Sequence, residues 1–94
     1  MALKRIRQKI DKVDREILRL LDIRMNLALE ARSFKNRIKD PDREKKIIDE
    51  LKKRAAAYPL LRVDFVLEIF KDILRESRRL QKTQRIQEKR EDRP

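Results

Sequence analysis

The chain has 94 residues, enough for one small domain, and carries 28 Lys/Arg against 17 Asp/Glu for a net charge of +11. It contains no Gly, no Cys and no His. Without glycine the positive-φ positions of tight hairpins are hard to fill, which argues against a β-rich fold; without Cys and His, disulfides, thiolate nucleophiles and imidazole chemistry are excluded.

Leu, Ile, Arg, Lys and Glu dominate, a helix-former composition that predicts an all-α fold. With 48% of residues charged and 39% hydrophobic, a three-helix monomer would have a thin core, so association with a second copy is expected. Heavy use of Lys, Arg and Glu is also the composition of ion-pair-rich, thermostable proteins. The positive surplus is spread along the chain, about +6 over residues 1–40, +3 over 41–81 and +2 beyond. No basic block is interleaved with aromatic residues for base stacking, so no nucleic-acid partner is expected and a small polyanion is favoured. No apolar run is long enough for a signal-peptide core or a membrane span, which predicts a cytoplasmic protein without membrane contact.

In chain order, the residues Leu3, Ile6, Ile10, Val13, Ile17, Leu20, Leu27, Ala31, Phe34 and Ile38 recur at 3–4 spacing. The pattern predicts a first helix from Leu3 to Ile38, about 50 Å long, with a seam for packing. Two shorter helices of the same chain cannot cover that length, so a homodimer with paired long helices is predicted. Arg24 stands where the seam calls for an apolar residue. The second helix starts at Asp40-Pro41, a cap followed by proline at the first helical position. Its stripe is Ile47, Ile48, Leu51, Ala55 and Tyr58, and one turn earlier the same stripe lands on Glu44. A third helix begins near Leu60 or Val63, with the stripe Val66, Ile69, Phe70, Ile73, Leu74, Ser77, Leu80 and Gln81. Residues 1–84 read as one helical domain, and the charged segment 85–94 is expected to fray.

Arg24, Glu44, Ser77 and Gln81 are thus polar groups on faces that should be buried, and each needs a partner. Two readings fit: an ion-pair network that fixes register, with Arg24 on Glu44, or the polar lining of a pocket inside a helical bundle. Lys35, eleven residues after Arg24, returns to within about 20° of the same helical face, roughly 16 Å along. Arg7 borders the seam about 25 Å from Arg24, too far for both to grip one small molecule. Taken alone, Arg7 and Lys35 read as solvated flanks; if Arg7 does share a ligand with Arg24, it must come from an antiparallel partner.

The stretches "IRQKIDKVDREILRLLDIRMNLA", "FK", "DPDREKKII" and "IFKDILRESRRLQ" resemble the all-helical (AroQ-type) chorismate mutases over about residues 3–84. The resemblance implies three helices per chain, an entwined homodimer with two shared sites, and rearrangement of chorismate to prephenate in phenylalanine and tyrosine biosynthesis. It further implies that Arg24 and the partner's Arg7 bind the two substrate carboxylates, and that Lys35 and Gln81 donate to the ether oxygen. Glu44 would accept from the ring hydroxyl, with Ser77, Asp40 and Arg43 completing the pocket. Such a pericyclic reaction needs no cofactor, metal or nucleophile, which suits a chain without Cys or His. The "NRIK" connection between Lys35 and Asp40 is shorter than in the bacterial members, and Asp40 is also the helix cap. A sister activity on the same fold, isochorismate pyruvate-lyase, is disfavoured because those enzymes lack an acid at the Glu44 position and a serine at the Ser77 position. A non-catalytic basic helical module that binds nucleic acid or another helix is the remaining alternative.

Overall fold

The computed structural model describes residues 2–35 and 37–91, with side chains to residue 83. It contains three helices, α1 (Ala2–Arg32), α2 (Pro41–Ala55) and α3 (Val63–Glu91), as the apolar spacing predicts. Among the described residues, α3 is the central element: it packs on both α1 and α2, which do not pack on each other. The result is a thin, elongated body of 63 × 30 × 16 Å.

The start of α2 follows from local chemistry. Asp40 Oδ1 accepts from the Arg43 amide at 3.2 Å and Pro41 occupies the first turn. Asp42 and Glu44 lie in that first turn and Lys52, Lys53 and Arg54 in the last, both arrangements complementing the helix dipole.

Helix α1 ends earlier than its seam suggests. The expected run to Ile38 stops at Arg32, where the backbone tightens into i→i−3 bonds from Ser33, Phe34 and Lys35 to Glu30, Ala31 and Arg32. Ser33 Oγ donates to the Glu30 carbonyl at 2.8 Å, and Arg32 Nη1 donates to the Lys35 carbonyl at 2.7 Å, so these groups bind the turn rather than a further helical rung. Phe34 therefore leaves the seam and is 86% exposed. Helix α3 runs further than its stripe: strong helix formers carry the backbone through residues 85–91 of the segment expected to fray, and residues 92–94 lie outside the described residues.

Burial is uneven. Ala55 and Leu74 are the buried apolar residues, and Ser77 and Gln81 the buried polar ones, at 8% and 4% exposure. Every described residue from Ala2 to Leu20 is exposed. Along that stretch Leu3, Ile6, Ile10, Val13, Ile17 and Leu20 retain between 49% and 57% of their surface. These six residues form a regular apolar face left uncovered within one chain. No described helix is long and apolar enough to cross a membrane.

Candidate active site

A cleft of about 420 Å³, within the range of small-molecule sites, opens where the C-terminal part of α1, the start of α2 and the middle of α3 meet. Arg24, Lys35, Asp40, Arg43, Glu44, Ser77 and Gln81 all line it, seven of the eight residues singled out from sequence. Leu27, Ala31, Ile38, Ile47 and Leu74 supply apolar wall. Arg7 is elsewhere, in a shallow recess with Leu3, Lys4, Gln8 and Asp11. Because α1 is unbroken from Ala2 to Arg32, Arg7 and Arg24 of one chain stand about 25 Å apart.

The polar groups of the cleft are held in place. Ser77 Oγ donates to the Ile73 carbonyl at 2.9 Å and accepts from Arg24 Nη1 at 3.0 Å, so the serine orients the guanidinium. Arg24 keeps its remaining N–H groups for a ligand. Burial, and then the charge of Arg43, pull the Arg24 guanidinium below its ordinary value. An anion bound beside it would relieve that repulsion and replace lost solvation.

Lys35 lies just past the end of α1 and still reaches the cleft, through the turn rather than along a continued helical face. Its Nζ donates to the Ile38 carbonyl at 2.7 Å and to Gln81 Oε1 at 3.2 Å. Gln81 Nε2 donates to the Ala28 carbonyl at 2.8 Å. Since an ammonium has three N–H groups and an amide two, each side chain retains one donor not engaged by the described residues. The two donors, one from the turn after α1 and one from α3, are fixed relative to one another by the bond between them.

Sequence reasoning left open a pair between Arg24 and Glu44, and the structure does not form it. Arg24 bonds Ser77, while both Glu44 oxygens accept from Arg78 Nη1 at 2.7 and 2.6 Å. Arg78, which also lines the cleft, was missed. The available signal was a negative one, since no acid lies three or four residues from it in either direction. With Arg78 included, four cations face two carboxylates, leaving a surplus of two positive charges in the cleft. That balance suits a dianion.

Residues 6–82 match the family model described as chorismate mutase type II. A chorismate mutase of Methanocaldococcus jannaschii is 35% identical over 81 residues, covering 82% of this chain and 81% of that protein. No solved structure matches the chain. With a family match spanning all three helices and a relative 35% identical over most of both chains, the chain belongs to the type II chorismate mutases.

Proposed function

We propose that the chain rearranges chorismate to prephenate, as a homodimer with two equivalent sites, each completed by the partner's Arg7. The observation that carries the proposal is the Lys35–Gln81 pair, two linked donors on a cleft with a surplus of two positive charges. The 25 Å between Arg7 and Arg24 and the bare apolar face of α1 support the dimer.

The reaction is a [3,3] rearrangement in which the ether C–O bond breaks as a C–C bond forms, within one molecule. The flexible dianion must first be held in a compact, diaxial, chair-like shape. Arg24 and the partner's Arg7 would do this by pairing with the two carboxylates. As the C–O bond breaks, negative charge grows on the ether oxygen. The free donors of Lys35 and Gln81 stabilise that charge more than they stabilise the ground state, which is the condition for raising kcat. Glu44 retains lone pairs beyond those used by Arg78 and can accept from the ring hydroxyl. A millionfold acceleration corresponds to about 8 kcal/mol. One preorganised donor supplies about 3–4 kcal/mol, so two donors and the conformational restriction suffice.

Purified protein incubated with chorismate should deplete its diene absorbance and yield prephenate, with saturation kinetics and no added metal or cofactor. Absence of turnover up to millimolar substrate would overturn the proposal. Release of pyruvate from isochorismate, with chorismate untouched, would assign the chain to the sister lyase activity instead.

A further inference from the structure

Beyond its share in the cleft's charge balance Arg78 has no task in the chemistry above, and its surroundings differ from those of its neighbours. Arg75 donates to Asp72 at 3.1 Å and Arg79 to Glu76 at 2.9 Å, each to an acid three residues back on the solvated face of α3. Arg78, lacking such an acid, crosses to α2 and grips both oxygens of Glu44. The two side chains are 29% and 24% exposed, whereas both partners of the Arg75–Asp72 pair are 73% exposed. On its other side Arg78 shares a recess with Lys39, Arg75, Arg79 and Lys82, whose like charges favour a guanidinium turned toward Glu44.

We infer that Arg78 is a positioning residue that keeps Glu44 from capturing Arg24. Glu44, Arg24 and Arg43 line the same cleft, and a carboxylate without its own partner there would compete with a bound anion for those guanidiniums, Arg24 among them. Arg24 would then meet a substrate carboxylate only after breaking an internal ion pair. With Glu44 satisfied by Arg78, Arg24 is held by the neutral Ser77 hydroxyl alone, and its charge stays available to the ligand. The same contact fixes the Glu44 rotamer for the ring hydroxyl. This inference rests on the proposed function for its kinetic consequences, although the pairing itself does not.

The test is a double-mutant cycle of Arg78→Met and Glu44→Gln, with Arg78→Lys as the conservative variant, read by chorismate kinetics and by thermal unfolding. Arg78→Met should raise KM by about tenfold or more with a smaller change in kcat, because an internal carboxylate now competes with the substrate's. In the Glu44→Gln background, where no carboxylate remains to capture Arg24, the same change should alter KM by less than about threefold. Arg78→Lys should recover part of the loss. An unchanged KM in Arg78→Met, or an equal loss in both backgrounds, would overturn the inference. Should the wild type fail to turn over chorismate, the proposed function falls and the melting cycle decides alone. A Tm effect of Arg78→Met that shrinks by about 4 °C or more in the Glu44→Gln background supports the pair, and an additive effect overturns it.

Discussion

Gln81→Ala should lower kcat by about a hundred- to a thousandfold while changing KM far less. The amide is 4% exposed and bridges two groups, donating to the Ala28 carbonyl and accepting from Lys35. Its second N–H is the donor we propose for the ether oxygen, where charge appears only as the bond breaks. Removing it therefore weakens the transition state more than the bound substrate. Truncation also strips the Ala28 carbonyl of its donor, at a cost of about 1–3 kcal/mol that a thermal melt should register separately. Gln81→Glu separates the electrostatic role from the packing role. A carboxylate at this position is an acceptor only, and the adjacent Lys35 ammonium favours its ionised form. That variant should be nearly as impaired as the alanine at neutral pH and should recover as the pH is lowered and the carboxyl becomes protonated. Steady-state kinetics across neutral to mildly acidic pH measure both effects.

Ile10→Glu should abolish assembly, and the folded state with it. Glutamate is at least as good a helix former as isoleucine, so any loss cannot be assigned to local propensity. Within one chain Ile10 is 52% exposed and touches no core, and a monomer would tolerate the change. In a paired seam, each buried isoleucine is worth about 1.5–3 kcal/mol and two-fold symmetry counts it twice. A carboxylate driven into that seam costs several kcal/mol more. Against a total stability of about 5–15 kcal/mol, the sum is decisive. Sedimentation should give the wild type about twice the 11.5 kDa chain mass, with a Tm that rises with protein concentration. The variant should sediment as a monomer without a cooperative unfolding transition.

Much of this was legible in the residues, because the relevant signals are local. Asp40-Pro41 marks the start of α2, and Glu44 betrays itself by sitting on the apolar face one turn before Ile47 and Ile48. Ser77 and Gln81 are polar at heptad positions of α3, and both are buried. The end of α1 was not legible. Phe34 and Ile38 continue the 3–4 spacing, and no glycine or proline intervenes before Pro41, so periodicity alone carries the helix too far. What ends it is a set of turn contacts from Ser33 and Arg32 that leave no periodic trace. Lys35 reached the cleft all the same, by a route that helical geometry did not describe. Arg78 was hidden among Arg75 and Arg79, since only a tertiary partner distinguishes it from its solvated neighbours.

Subunit mixing tests most directly whether the cleft is completed across the dimer. Arg7→Ala removes a group about 25 Å from the cleft of its own chain, yet it should inactivate the dimer as Glu44→Ala does. Exchange of the two inactive dimers places an intact Arg7 opposite an intact Glu44 at one of the two sites of each hybrid. Statistical mixing should then restore about a quarter of wild-type activity. Hybrids verified by mass to have exchanged fully, yet showing no activity above either parent, would contradict a site shared between chains.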